Sequence, residues 1–132
     1  MEREQTAAAL QEILGERAET EGIAAAYLFG SVARGTARPD SDADVAILLE
    51  KDPPATLGGL HLDLEGDLEK RLGRPVQLVV LNKAPCDLGA RVIRDGLILV
   101  DRDRSKRLRY EVQTRKELWD LEPYLRLYRR MP

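Results

Sequence analysis

The sequence predicts an α/β (α+β) fold in which a mixed β-sheet of about four strands is flanked by helices. Several short apolar runs, IAAAYLF and VQLVVLN among them, have the length and composition of buried strands. Segments whose apolar residues recur at three and four positions, as in amphipathic helices, alternate with these runs. Chains that alternate strands with helices usually fold as a sheet covered by helices. We therefore expect a single domain over residues 1–132, a usual length for one domain.

The N-terminal half is predicted to contain a helix, a strand, a turn and a second strand. The helix covers residues 3–19, because its apolar side chains form one stripe and Gly22 supplies a stop signal. The first strand is the continuous apolar run at residues 23–29. The Gly-Ser pair that follows opens a short helical turn, and the second strand runs over residues 44–49 before the breaker KDPP.

Five leucines at spacings of three and four residues predict an amphipathic helix in the middle of the chain. They are Leu57, Leu60, Leu64, Leu68 and Leu72. The third strand covers residues 76–82, which begin directly after a proline. A short helix follows and ends at Gly96, and a fourth, short strand covers residues 97–100.

The chain ends in a basic helical segment at about residues 104–132. Leu108, Val112 and Trp119 fall roughly on one face of this helix. Pro123 is expected to start or kink a final segment, because proline removes a helical hydrogen bond.

Charge and aromatic residues are concentrated in this C-terminal segment. Residues 101–132 hold ten Lys and Arg against six Asp and Glu, a net charge of +4 that leaves −6 on the rest of the chain. The late aromatic residues are Tyr110, Trp119, Tyr124 and Tyr128. Helix packing on the sheet accounts for them. A partner interface is the alternative, because Trp, Tyr and Arg together are typical of interface hot spots.

Bulk composition excludes several classes of protein. Hydrophobic residues make up 43% of the chain, enough for one core, and no apolar run reaches the length of a membrane span. The net charge of −2 gives no reason to expect direct binding to nucleic acid. The single cysteine, Cys86, cannot form an internal disulfide, so we expect a reducing, cytoplasmic location.

Two aspartates stand at the start of the second predicted strand and are candidate metal ligands. Residues two apart on a strand point to the same face, so Asp42 and Asp44 would project together, about 6.5 Å apart along the backbone. Two such carboxylates repel each other unless a divalent cation lies between them. Mg²⁺ is typically held by one or two carboxylates together with substrate phosphates. The structural alternative is that both are turn or cap residues before a strand.

The loop before these aspartates has the residues of a phosphate site. Gly30 allows a ligand to approach the backbone closely, and Ser31 adds a hydroxyl donor at the start of a helical turn. Arg34 lies one turn further on, where its guanidinium could reach a phosphate. Ser41 could hydrogen-bond a phosphate or a neighbouring aspartate.

Taken together, these residues resemble the G-S…R-G…S-D-x-D signature of the polymerase-β-like nucleotidyltransferases. The matching residues are Gly30-Ser31, Arg34-Gly35 and Ser41-Asp42-x-Asp44. More narrowly, the chain resembles the minimal nucleotidyltransferases (MNT), which are antitoxin partners of HEPN-domain toxins. The resemblance covers nearly the whole chain, because GRPVQLVVLNKAP, RDGLILVDRD and WDLEPYL look like the family's later segments.

The resemblance implies a polymerase-β-like palm fold and a specific chemistry. Such enzymes transfer a nucleoside monophosphate from a nucleoside triphosphate to a hydroxyl and release pyrophosphate. The antitoxin group is associated with moving AMP from ATP to a tyrosine of its toxin, a small helical protein. By this resemblance Asp42 and Asp44 would hold Mg²⁺, while Gly30 and Ser31 would hold the β and γ phosphates.

One position departs from the family pattern. The family usually carries a third carboxylate on the next core strand, and here the matching residue is Gln77. Glutamine cannot accept a proton, although its amide oxygen can ligate a metal weakly.

Three interpretations of Gln77 stay open. The protein could be a slow enzyme, because loss of a general base typically costs about 10²–10⁴ in rate. Another carboxylate could substitute, although Asp63, Glu65 and Asp67 are expected on the outer side of their helix. As the alternative function, the protein could be a catalytically inactive antitoxin that acts by binding its toxin. An enzyme that modifies a small molecule ranks last, because we expect such an enzyme to need a further acceptor domain.

Overall fold

The computed structural model describes residues 2–54 and 61–130, which form five helices, four strands and one 3₁₀ turn. In chain order the elements are α1 (Glu2–Glu21), β1 (Ile23–Phe29), α2 (Gly30–Arg34), β2 (Ala43–Leu49), α3 (Leu62–Leu72), β3 (Val76–Val80), the 3₁₀ turn (Leu81–Lys83), α4 (Cys86–Asp95), β4 (Leu97–Asp101) and α5 (Arg104–Arg129). This order confirms the predicted alternation. Leu57 and Leu60 of the predicted leucine stripe lie outside the described residues.

The sheet is mixed and has the strand order β3-β2-β1-β4. Strand β1 pairs antiparallel with β2 and β4, whereas β2 and β3 are parallel. Phe29 pairs with Asp44, and Asp44 pairs with Gln77. Side chains of directly paired residues share one face of a sheet. The register therefore brings these three side chains together at one end of the sheet.

Two apolar clusters cover the two faces of the sheet. Helices α1 and α3 pack on one face, where Leu14 and Leu68 are fully buried. Helices α4 and α5 cover the other face, where Val92 and the half-buried Tyr110 pack around Tyr27. Apolar burial from both sides is the main force that holds the sheet. Among the described residues, no helix has the length and apolar character needed to cross a bilayer.

The third strand is shorter than predicted because a side chain replaces its last backbone pairs. The strand ends at Val80, two residues before the predicted end. The Asn82 amide nitrogen donates to the Leu49 carbonyl oxygen at 3.0 Å, and its amide oxygen accepts from the Leu49 N–H at 2.8 Å. Asn82 thus mimics a strand partner while the backbone turns away.

Strand β3 lies at the edge of the sheet, and α3 covers its outer amides. Glu65 Oε2 accepts from the Leu78 N–H at 2.9 Å, and Glu69 Oε1 accepts from the Val76 N–H at 3.1 Å. Asp67 instead pairs with Arg17. The acidic side of α3 therefore satisfies edge groups that sheets otherwise leave open.

Helix α5 departs in part from the expectations about the C-terminal segment. Of the late aromatic residues, only Tyr110 packs on the sheet, whereas 80%, 71% and 75% of the surfaces of Trp119, Tyr124 and Tyr128 are exposed. Pro123 does not start a new segment, since α5 continues through it to Arg129. Pro123 is exposed, so water can reach the carbonyl that loses its helical partner.

The buried face of α5 is polar instead of apolar. Arg107, Glu111 and Thr114 are the residues of α5 that are buried. Arg107 donates to Asp101 at 2.9 Å and to Glu111 at 2.9 Å, and Glu111 also accepts from the Tyr27 hydroxyl at 2.8 Å. Burial and the Glu111 carboxylate both raise the pKa of Tyr27, so its hydroxyl stays a donor. This network replaces the apolar contacts that the sequence led us to expect.

Candidate active site

A pocket of about 410 Å³ opens where β1 ends and where β2 and β3 begin. Its walls come from α2, from β1, β2 and β3, and from α4. The lining residues are Phe29, Gly30, Ser31, Arg34, Asp44, Gln77, Val79, Leu88, Arg91 and Asp95. Five of the residues predicted from the sequence therefore lie in one pocket: Gly30, Ser31, Arg34, Asp44 and Gln77.

Asp42 and Ser41 stand just outside this lining. Strand β2 begins at Ala43, so Asp42 is an exposed loop residue next to the strand. Its charge nevertheless helps to raise the pKa of Asp44, which indicates that the two carboxylates are close. The Ser41 hydroxyl accepts from the Arg38 N–H at 2.9 Å, and this bond shapes the loop.

Gly30 is in close contact with the carboxylate of Asp44. Its φ of 73° lies in the left-handed region that favours glycine. A Cβ at this position would overlap Asp44 Oδ2. Only glycine therefore lets β1 turn into α2 while Asp44 points into the pocket.

Asp44 is a carboxylate of the pocket whose surroundings disfavour its anionic form. The half-buried side chain has its pKa raised, first by burial and then by the charge of Asp42. Arg34 acts in the opposite direction. Burial and a like charge both disfavour the carboxylate anion, and a bound cation would relieve both effects.

Helix α4 adds a wall that the sequence analysis missed. Leu88, Arg91 and Asp95 line the pocket at helical spacings of three and four residues. The Asp95 carboxylate accepts from Arg94, and this bond lowers the pKa of Asp95, with further help from Arg34 and Arg91. Every amphipathic helix has this spacing, so no local signal in the sequence shows which side of α4 faces the pocket.

The donor set fits a metal that is shared with a substrate. Among residues 2–54 and 61–130, no group of three or more His, Cys, Asp or Glu side chains could hold a metal ion. One half-buried carboxylate with a second beside it matches the way in which Mg²⁺ is held between a protein and phosphates. The pocket therefore suits a metal that arrives with a nucleotide better than a closed protein cage.

Comparisons with known proteins agree with this geometry. Residues 10–105 match the family described as polymerase beta, nucleotidyltransferase. A crystal structure of a toxin–antitoxin with AMP-PNP is 23% identical, with coverage of 89% of this chain and 94% of that chain and a TM-score of 0.76. A complex of a tri-AMPylated Shewanella oneidensis HEPN toxin with an MNT antitoxin is 20% identical, with coverage of 96% and 94% and a TM-score of 0.72.

A third structure is closer in sequence. It is assigned to a minimal nucleotidyltransferase, is 33% identical, and has a TM-score of 0.59 with coverage of 74% of this chain and 95% of that chain. No curated protein sequence gives a significant match. The matched region includes β1, α2, β2 and every pocket residue, so the chain belongs to the polymerase β nucleotidyltransferase family.

Proposed function

We propose that this protein is a Mg²⁺-dependent nucleotidyltransferase that transfers AMP from ATP to a hydroxyl, namely a tyrosine of a partner HEPN-type toxin. The observation that carries the proposal is the convergence of Gly30, Ser31 and Asp44 in one pocket at the strand ends. It combines a phosphate-binding turn with a carboxylate whose anionic form a cation would favour.

The proposal gives roles to the residues that bind the nucleotide and the metal. The backbone at Gly30 and the hydroxyl of Ser31 hold the β and γ phosphates, and Arg34 neutralises part of their charge. Asp44, with Asp42 beside it, would hold Mg²⁺. When bound, the metal supplies charge neutralisation at the triphosphate and alignment of the acceptor oxygen.

The proposed reaction is a displacement at the α-phosphorus. The acceptor hydroxyl oxygen forms a bond to that phosphorus, and the bond to the bridging oxygen breaks. Pyrophosphate then leaves with the electron pair. The proton of the hydroxyl passes to water, because Gln77 has no basic atom to receive it. We therefore expect a slow enzyme.

The partner is proposed from the relatives. Two of the similar structures are toxin–antitoxin complexes, one with AMP-PNP and one whose HEPN toxin is tri-AMPylated. These facts concern those proteins and support the same acceptor class here. The free thiol of Cys86 is compatible with a cytoplasmic location, which stays a prediction.

The alternative is an antitoxin that neutralises its toxin by binding alone. Gln77 favours this alternative because it stands in the pocket beside Asp44, where the family pattern has a third carboxylate. The two functions differ in one consequence: only the enzyme leaves AMP on the toxin.

The test is to incubate the purified protein with Mg²⁺, α-labelled ATP and a candidate HEPN toxin. Label is expected on the toxin, and both Asp42→Asn and Asp44→Asn should abolish it. Asp40→Asn is the matched control, because Asp40 is also an exposed loop residue outside the pocket lining but, unlike Asp42, does not contribute to the raised pKa of Asp44.

Gln77→Asp tests the argument about the missing base. We expect transfer to rise by about 10²-fold or more, in line with the usual contribution of a general base. Toxin that is neutralised without label, and equally well by Asp42→Asn, would favour the binding antitoxin. If the toxin is neither labelled nor neutralised, both proposed functions are wrong.

A further inference from the structure

Arg74 stands in the link over residues 73–75, which joins α3 to β3 beside the loop that carries Asp42. Only 11% of its side-chain surface is exposed. A guanidinium in such a position needs partners for its N–H groups, because it cannot give up its charge. The Glu2 carboxylate accepts from Nη1, and the other bonds of the guanidinium go to the backbone of the loop.

The guanidinium of Arg74 holds the carbonyl group directly before Asp42. Its Nε and Nη2 atoms donate to the Ser41 carbonyl oxygen at 3.0 and 2.5 Å. Nη2 also donates to the Arg38 carbonyl oxygen at 3.3 Å. The Arg38 carbonyl oxygen in turn accepts from the Ser41 N–H at 3.0 Å, which closes the turn. One side chain therefore fixes both ends of the turn over residues 38–41.

The peptide group directly after Asp42 is fixed by the neighbour of Arg74. The Ala43 N–H donates to the Pro75 carbonyl oxygen at 2.9 Å. The two peptide groups that flank the Asp42 Cα are therefore bonded to two successive residues of the link. Because each peptide group is planar, fixing both of them fixes the backbone dihedrals of Asp42 and the direction of its Cα–Cβ bond. An exposed loop residue thereby acquires a defined orientation.

We propose that Arg74 is a positioning residue that aims the Asp42 carboxylate at the place beside Asp44 where Mg²⁺ would bind. This inference rests on the proposed function, because that function assigns Asp42 to the metal. The same link leads directly into β3, where Gln77 pairs with Asp44. Groups that orient the ligands of a metal typically contribute about 10–100-fold to metal affinity or activity.

The test measures the binding of α,β-methylene-ATP with Mg²⁺ by isothermal titration calorimetry, in the absence of toxin. The α–β bond of this analogue is not cleaved, so the measurement reports affinity and not transfer. Arg74→Ala is expected to raise the dissociation constant by about tenfold or more.

Two control variants should bind the analogue like the wild type. Arg71→Ala is the matched control, because Arg71 pairs with the carboxylates of Glu16 and Asp67 and not with the loop. Glu2→Gln removes the carboxylate partner of Arg74 and leaves the bonds to the loop carbonyls in place. A loss of affinity in these controls that equals the loss in Arg74→Ala would contradict the proposed role of the carbonyl bonds.

Arg74→Lys separates geometry from charge. Lysine keeps the positive charge but lacks the planar fork that holds the Ser41 carbonyl, so it should recover only part of the affinity. Full affinity in Arg74→Lys would show that the charge alone matters, and the positioning role would then be wrong. Urea denaturation measures stability separately. A less stable Arg74→Ala protein with unchanged affinity would assign Arg74 a structural role only.

A double-mutant cycle connects the effect to Asp42. In the Asp42→Asn background, Arg74→Ala should change the dissociation constant by less than about twofold, because no carboxylate remains to be aimed. In the Ser31→Ala background the full effect should persist. Equal losses in the two backgrounds would overturn the inference, because Arg74 would then act through the fold as a whole.

The wild-type measurement distinguishes this inference from the proposed function. If the wild type does not bind the analogue in the presence of Mg²⁺, the proposed function and the inference are both wrong. If the wild type binds it and Arg74→Ala binds it equally well, only the inference is wrong.

Discussion

The candidate site depends on the close packing of a glycine against a carboxylate. Gly30 adopts a left-handed conformation, and Asp44 Oδ2 occupies the space that any Cβ on Gly30 would need. The two residues come from adjacent strands and meet because Phe29 pairs with Asp44. A Cβ atom added at Gly30 would therefore displace the Asp44 carboxylate, the proposed metal ligand.

Gly30→Ala is expected to reduce AMP transfer by about 10²-fold, because misplacing a catalytic group by about 1 Å can cost that much. It should also lower the free energy of unfolding by about 1–2 kcal/mol, the usual cost of a left-handed alanine. Gly35→Ala is the control, because Gly35 has a φ of 75° and nothing within 4 Å of the added Cβ. If Gly35→Ala abolishes transfer equally, backbone strain and not the Asp44 contact explains the loss.

Asp44→Asn is expected to abolish transfer and to raise the melting temperature of the free protein by a few degrees. Burial and the charge of Asp42 both disfavour the Asp44 anion, so a neutral amide removes an unfavourable term. Differential scanning calorimetry without metal checks this result. Asp42→Asn should have a smaller effect, since Asp42 is exposed. A clear loss of stability in Asp44→Asn would contradict the expected repulsion.

At the scale of the elements, α5 is held to the sheet by a buried charge network. Glu111 receives hydrogen bonds from Tyr27 on β1 and from Arg107 one turn earlier on the same helix. Arg107 also reaches Asp101 at the end of β4. The network thus links α5 to β1 and β4 through hydrogen bonds of defined direction. Apolar contacts alone would fix the position of the helix on the sheet less specifically.

Glu111→Gln is expected to lower the free energy of unfolding by about 1.5–3 kcal/mol, the usual value of a hydrogen bond to a charged group. Urea denaturation with an unchanged slope provides the measurement. Glu117→Gln serves as the control on the same helix, because Glu117 is exposed and should change stability by less than about 0.5 kcal/mol. Equal effects of the two substitutions would show that the buried network does not contribute to the free energy of unfolding.

At the scale of the whole molecule, ligand binding should raise the melting temperature of the protein. Because no three His, Cys, Asp or Glu side chains of the described residues are grouped to hold a metal, Mg²⁺ alone is expected to shift the melting temperature little. Mg²⁺ with ATP should raise the melting temperature. The free energy of unfolding should increase by about 2.7 kcal/mol when the ATP concentration is 100 times the dissociation constant. The Asp44→Asn variant should lose this response. An equal response to Mg²⁺ alone would indicate a metal site that needs no nucleotide.

The order of elements and the turn that brings Gly30 and Ser31 to the pocket could be predicted because their signals are local. IAAAYLF is apolar enough to be a buried strand in any context, and the Gly-Ser pair that ends it marks the turn. The face of α5 could not be predicted, because the partner of Glu111 is Tyr27, 84 residues earlier. Arg91 and Asp95 were missed for a similar reason, since only the tertiary fold turns their side of α4 to the pocket.

The glutamates of α3 would restrict how the proposed acceptor approaches. Because they already occupy the Val76 and Leu78 amides of β3, a polypeptide acceptor would not extend the sheet by β-augmentation beside Gln77. Such an acceptor would instead reach over the open face and insert one long side chain. A tyrosine at the tip of a helix or loop has that shape, whereas a hydroxyl on an extended backbone does not.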